Sequence, residues 1–145
     1  STSLPMMMGW QAEGSAPIVK GHVVATPETV ATAIRIGNPA SWEQAVRASE
    51  ESSGAIDCVS DDEILDAHRM LARTEGIFVE PASAAGIAGI VKSHARGSIP
   101  SESTVVVTVT GHGLKDPGIA IENAKASSVV VEPNIQSVLD AIGME

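Results

Sequence analysis

Along this chain, short apolar runs alternate with stretches whose apolar residues recur every three or four positions. Pro5 to Trp10 and Gly54 to Val59 read as strands, with shorter ones at Ile77 to Val79 and Ser128 to Val131. Ser103 to Val109 is the strongest: Val105, Val106 and Val107 form the unbroken apolar run expected of a strand covered on both faces. Thr26 as N-cap and Pro27 at the first helical position predict a helix to Ile34. Ser41 with Gln44, and Ser60 with Glu63, have capping-box spacing. They predict helices to Ser52 and to Thr74, the second with Ile64, Leu65, His68, Leu71 and Ala72 on its apolar face and Gly76 as its stop. Ala82 to Ala95 carries Ile87, Ile90, Val91 and His94 on one stripe. Asp116 and Pro117 open a helix to about Ala126, and Pro133 to Ile142 is the last. Pro17 to Gly21 is short and ends at a glycine. This alternation predicts an α/β fold with a parallel-rich sheet flanked by helices on both faces.

Composition narrows the class. The 145 residues are the size of one ordinary domain, and a chain that is 43% hydrophobic and 19% charged reads as soluble and globular. The net charge of −9, without any Lys/Arg run, argues against nucleic acid as a partner. No apolar run reaches the roughly 20 residues of a membrane span. The opening stretch has no basic region ahead of an apolar one, so it does not read as a secretory signal. A single cysteine, Cys58, forms no internal disulfide and suits a reducing cytoplasm. Without an initiator Met, the chain reads as a segment of a longer polypeptide.

Three stretches can carry chemistry. The first is TVVVTVTGHGLKDP, Thr104 to Pro117. In open α/β sheets ligands bind beyond the carboxyl ends of strands. Thr110 offers a donor and an acceptor there, and Gly111 and Gly113 let backbone approach a ligand or take positive φ. A plain Gly-rich turn before a helix capped by Asp116 fits the same residues. The second is VEPASAAGIAG, Val79 to Gly89. A helix opening with Ala82, Ser83, Ala84, Ala85 and Gly86 can bring its N-terminus close to an anion or pack tightly on a sheet. Glu80 reads as a cap or a site carboxylate. The third is ATAIRIGNPASW, Ala31 to Trp42. Arg35 can pair with an anionic substrate or form a surface salt bridge. His22, His68, His94 and His112 are scattered, with no metal-ligand spacing. His68 and His94 read as packing residues. Lys115 beside two glycines could suggest a Schiff-base lysine, but Asp116 is adjacent and nothing in the neighbouring sequence suggests an apolar pocket.

Taken in order, PETVATAIRIGNPASW, FVEPASAAGIAG and VTVTGHGLKDP closely resemble the C-terminal part of the threonine synthase family. These are pyridoxal-phosphate enzymes of fold type II, the tryptophan-synthase-β-like group. The resemblance runs from about Leu4 to the end. It implies that residues 1–145 form the C-terminal part of a large cofactor-binding domain. It also implies pyridoxal 5'-phosphate as cofactor, and cofactor-binding roles for Thr110, Gly111, Ala33 and Ile34. The residue matching Thr110 presents its hydroxyl to the pyridine nitrogen, and Gly111 to Gly113 lie along the ring. A neutral hydroxyl does not force that nitrogen to be protonated, so the ring is a milder electron sink. The stretch from Ala33 to Gly37 packs near cofactor and substrate, with Arg35 as a weak substrate candidate. Ala82 to Gly86 match a helix beneath the site.

The activity the resemblance implies for the intact protein is a lyase reaction in amino-acid biosynthesis. O-phospho-L-homoserine and water give L-threonine and phosphate, in a cytoplasmic homodimer. The family's Schiff-base lysine has no counterpart: none of Lys20, Lys92, Lys115 and Lys125 stands in its context. The loop that grips the cofactor phosphate is also unmatched. This chain alone is therefore expected to be an inactive fragment. Another fold type II enzyme, of threonine dehydratase or cysteate synthase type, is the alternative, with a non-catalytic α/β ligand- or partner-binding module as the reading from a different class.

Overall fold

The computed structural model describes residues 4–124 and 129–144. At its centre are two parallel strands, β1 (Met8–Ala12) and β2 (Ala55–Val59), in register from Met8 opposite Ala55 to Ala12 opposite Val59. The helices are α1 (Pro17–Lys20), α2 (Trp42–Glu51), α3 (Asp61–Glu75), α4 (Pro81–Ala95), α5 (Pro117–Asn123) and α6 (Ile135–Ile142), with 3-10 turns at Thr32–Ile34 and Gly113–Lys115. The class is α/β with a parallel sheet, as the alternating pattern predicts. Helix α4 packs on both strands and along α3, while α1 and α2 pack against β2.

Local chemistry explains the best-formed helices. In α3 the capping box closes: Glu63 N–H donates to Ser60 Oγ at 3.2 Å, and Ser60 N–H donates to Glu63 Oε2 at 2.7 Å. Gly76 ends the helix at φ 67°. Helix α4 starts with Pro81 at its first position, where no N–H is needed. Its small residues let neighbours come close. The indole of Trp10 lies directly on Gly89, where a Cβ would fall inside the ring. Val59 and Ile64 are fully buried, and with Ala12, Leu71, Val79, Ala84 and Ala88 they form the core.

Other elements differ from the sequence pattern for identifiable reasons. The stretch Pro27 to Ile34 is not a helix. Asp61, at the start of α3, accepts the Thr29 hydroxyl and the Val30 N–H (3.1 Å), and Thr29 Oγ1 accepts the Ala31 N–H at 3.1 Å. These bonds hold the backbone in a loop, leaving only the turn at Thr32–Ile34. Strand β1 runs from Met8 to Ala12 rather than from Pro5 to Trp10, and Pro17 to Gly21 is a one-turn helix. Ser41 caps α2 without a side-chain bond. Ile77 to Val79 contributes a single antiparallel bridge, Val79 to His112.

The largest departure is Ser103 to Val109. Among the described residues it joins no sheet, and no bond between backbone groups involves residues 104 to 110. A strand exists only with a partner to complete its ladder, and no described segment pairs with this one. Val107 packs against α4: a Cβ on Gly86 would come within 2.9 Å of Val107 Cγ1. Thr110 is thus not at the end of a central parallel strand. The end of α5 near Ala126 and the first residue of the Ser128 to Val131 strand lie outside the described residues; Val129 to Val131 form no strand. Helix α6 begins at Ile135, capped by Asn134, whose side chain accepts the Ser137 N–H at 2.9 Å.

Candidate functional site

The fold brings together the three stretches singled out in the sequence. The turn after Thr110 is laced to the residues entering α4. Glu80 N–H donates to the Gly111 carbonyl at 3.0 Å, and Gly113 N–H donates to the Phe78 carbonyl at 3.2 Å. Gly111 N–H donates to Ser83 Oγ at 2.8 Å, in a buried position. The third stretch joins from the other side, where Thr32 Oγ1 donates to Asp116 Oδ2 at 3.3 Å. Asp116 therefore ties two segments together and makes no side-chain capping bond to α5.

The glycines of the turn serve close approach. Neither Gly111 nor Gly113 has positive φ. A Cβ on Gly111 would overlap the Glu80 carboxylate, and one on Gly113 would overlap the Phe78 ring. Glu80 is buried at the start of α4, its side chain laid over Gly111, without capping the helix. Phe78 makes edge-on contacts with two imidazoles, His68 at 6.2 Å and His112 at 5.6 Å between centroids.

His68 is buried, as its helical stripe predicts, whereas His94 is exposed because its side of α4 faces solvent. A carbonyl only accepts, so the 2.9 Å contact of His68 Nε2 with the Val79 carbonyl places the proton on Nε2. Nδ1 then accepts from Asn123 Nδ2 at 3.2 Å, and Asn123 also donates to the Leu65 carbonyl at 3.1 Å. Through Asn123 the end of α5 is fixed to α3.

Thr110 itself is exposed. The side-chain hydrogen bonds at the turn involve Ser83, His112 and the Thr32–Asp116 pair, and among the described residues none involves the Thr110 hydroxyl. Gly111 beside it is buried. The turn's amides from Gly113 to Asp116 all bond internally, to the Phe78 carbonyl, His112 Nδ1, the His112 carbonyl and the Gly113 carbonyl respectively. The turn therefore has no free row of N–H groups for a phosphate, but it does present one hydroxyl to solvent. Of the other predicted residues, Ala33 is exposed and Ile34 half-buried, lining a small cavity of about 160 Å³ with Trp10, Gln11 and Ser15. Arg35 lies 3.8 Å from Glu28 in a partly exposed ion pair. Ser83 and Asp61 are not singled out by the sequence. One reads as a small residue among alanines and the other as a helix-opening acid, and nothing local marks either as reaching a distant loop.

A cavity of about 470 Å³ lies elsewhere, between α3 and α4, with Glu63, Met70, Val91, Lys92 and Arg96 on its walls. Lys92 Nζ donates to Glu63 Oε2 at 2.9 Å and to the Cys58 carbonyl at 3.0 Å, and Arg96 pairs with Asp57 at 2.8 Å. Burial alone would raise the Glu63 pKa, but the hydrogen bonds from Lys92 and Ser60 outweigh it and hold the carboxyl below its usual range. The Cys58 N–H, with help from Arg96, does the same for Asp57. Burial, with the Asp57 charge beside it, pushes the Cys58 thiol up, so Cys58 is not an activated nucleophile. None of the predicted site residues lines this cavity. Among the described residues no group of His, Cys, Asp or Glu side chains could hold a metal ion, and no helix is long and apolar enough to cross a membrane.

Comparison with known proteins fixes the class that this geometry serves. The profile of the family "Pyridoxal-phosphate dependent enzyme" matches residues 1–111, and the chain belongs to that family. Its cofactor is pyridoxal phosphate. The chain is 54% identical over 138 residues to the threonine synthase of Bacillus sp. (strain ULM1), covering 95% of this chain and 39% of that protein. It is 50% identical over 141 residues to the threonine synthase of Synechocystis sp., covering 97% and 36%. The chain thus spans less than half the length of the curated relatives it matches. The fold is also that of a fungal L-serine ammonia-lyase from Rhizomucor miehei, with TM-score 0.62 and 20% identity over 86% of this chain and 42% of that one.

Proposed function

We propose that this chain is the C-terminal, cofactor-facing part of a threonine synthase, whose intact form converts O-phospho-L-homoserine and water to L-threonine and phosphate. The observation that carries this reading is the identity of half or more of the residues with threonine synthases over nearly the whole chain. In the intact protein, residues 1–145 belong to the large cofactor-binding domain of a cytoplasmic homodimer. The segment from Thr104 to Val109, apolar and without ladder bonds here, pairs there with strands from the rest of the polypeptide.

Pyridoxal phosphate, when bound, supplies an electron sink for charge developing on substrate carbon. The residues of this chain hold and tune the ring. The exposed hydroxyl of Thr110 would donate to the pyridine nitrogen, a neutral partner that does not force its protonation. Gly111 keeps the backbone beside the ring low. Ala33 and Ile34, on the turn that Thr32 ties to Asp116, form an apolar wall near the cofactor. Arg35 is the candidate for the substrate's anionic end, which would take it from Glu28. The turn's internally bonded amides support a phosphate grip that lies outside this chain, as does the lysine that anchors the cofactor.

The test is product analysis with the intact protein, pyridoxal phosphate and O-phospho-L-homoserine. Threonine and inorganic phosphate should appear in equal amounts. Release of ammonia from threonine without any phosphate release from O-phospho-L-homoserine would instead identify a deaminating relative.

A further inference from the structure

We infer that Ser83 is a positioning residue for the cofactor, acting on Thr110 through the backbone. This rests on the reading that the Thr110 hydroxyl meets the pyridine nitrogen, and it adds what aims that hydroxyl. None of the side-chain hydrogen bonds at the turn involves Thr110, so its direction is set by its backbone and by the stiff χ1 of a β-branched residue.

The backbone is fixed at one atom. The N–H that Ser83 Oγ accepts, at 2.8 Å, belongs to the peptide unit joining Thr110 to Gly111. That unit is planar and includes the Cα of Thr110, so holding its N–H fixes ψ of Thr110. The next unit is fixed too, because Glu80 N–H donates to the Gly111 carbonyl at 3.0 Å. Both anchors come from the first turn of α4 and from Glu80, the residue just before it. Ser83 is only 6% exposed, so water cannot readily take its place. Upstream, residues 104 to 110 make no bond between backbone groups among the described residues, so nothing described there restrains Thr110 in the same way. A short side chain is required at position 83, because the acceptor must reach the turn from a helix packed beneath it. Serine meets that need where alanine, its neighbour in size, does not.

The experiment uses the intact protein with pyridoxal phosphate, reading the cofactor's absorption spectrum and its dissociation constant. Ser83→Ala should weaken cofactor binding roughly 5-fold, the size of one neutral hydrogen bond, and shift the absorption band in the same direction as Thr110→Ala. Ser83→Thr, which keeps the hydroxyl, should restore the wild-type band. In the double variant, Ser83→Ala should add nothing to Thr110→Ala. Ser93→Ala removes another buried serine hydroxyl from α4, away from the turn, and should leave the spectrum unchanged. If Ser83→Ala does not fold, Ser83→Cys, with a weaker acceptor of similar size, carries the same expectation. A spectrum altered by Thr110→Ala but not by Ser83→Ala would overturn the positioning role and leave the Thr110 reading intact. Additive effects in the double variant would also overturn it. No spectral change in Thr110→Ala would remove the reading beneath it, and the proposal with it.

Discussion

Residues 8–95 and residues 104–144 are both rich in aliphatic side chains, yet they differ in what those side chains meet. Every buried hydrophobic residue among the described ones, from Ala12 to Ala88, belongs to the first region. In the second, Val106 is 87% exposed, Val130 98% and Ile135 79%. Helix α6 has its apolar residues in helical register, yet none of its residues is buried. Amphipathic pattern alone does not build a core; a facing surface must be present. The contacts that tie the second region to the first include Gly111 to Ser83 and Glu80, Gly113 and His112 to Phe78, Asp116 to Thr32, and Asn123 to Leu65 and His68.

The sharpest way to break this comparison is a matched pair of truncations. Ile64→Ala, in the closed core, should cost about 2–5 kcal/mol of unfolding free energy. Ile135→Ala should stay within about 0.5 kcal/mol. Urea unfolding of the two variants measures both, and equal costs would mean that α6 is packed after all. Next in size is the linkage itself. Gly111→Ala forces a methyl into the Glu80 carboxylate and should cost about 1–3 kcal/mol. Asn123→Leu leaves the Leu65 carbonyl and His68 Nδ1 without their donor. It should cost about 1–3 kcal/mol and speed amide exchange in α5 before α3.

The smallest effect is pH dependence within the first region. Asp57 and Glu63 have folded pKa values held below their ordinary values of 3.8 and 4.5. Their contribution is therefore present above those ordinary values and is lost as pH falls through the lower, folded ones. Both carboxylates are more than a third exposed, so water screens the pairs, and the contribution should be about 0.2–1 kcal/mol. Lys92→Met should flatten the Glu63 share of the acid limb in chemical denaturation followed downward from neutral pH. An unchanged limb would show that Lys92 does not hold Glu63.

What the sequence makes legible follows the same division. Helix α3 is legible because its determinants are local: Ser60, Glu63 and Gly76 lie within the element or at its ends. Strand β2 is legible from its apolar run. The loop at residues 27–31 reads as a helix in sequence because Asp61, which offers its backbone better bonds than a helix would, lies far along the chain in α3. Ser103 to Val109 has every property of a strand except a partner, and propensity does not report partners. At the site, the turn after Thr110 stands out by composition. The reason its glycines are needed, the side chains of Phe78 and Glu80, is a tertiary fact. Ser83 is hidden in the same way, since a serine among alanines reads as small before it reads as an acceptor.

Thr110→Asp in the intact protein tests the central claim most directly. A carboxylate against the pyridine nitrogen favours its protonated form by charge pairing. The account predicts a shifted cofactor absorption band and a changed ratio of threonine to side products from O-phospho-L-homoserine, with the cofactor still bound. An unchanged band and unchanged product ratio would mean that this side chain does not touch the ring.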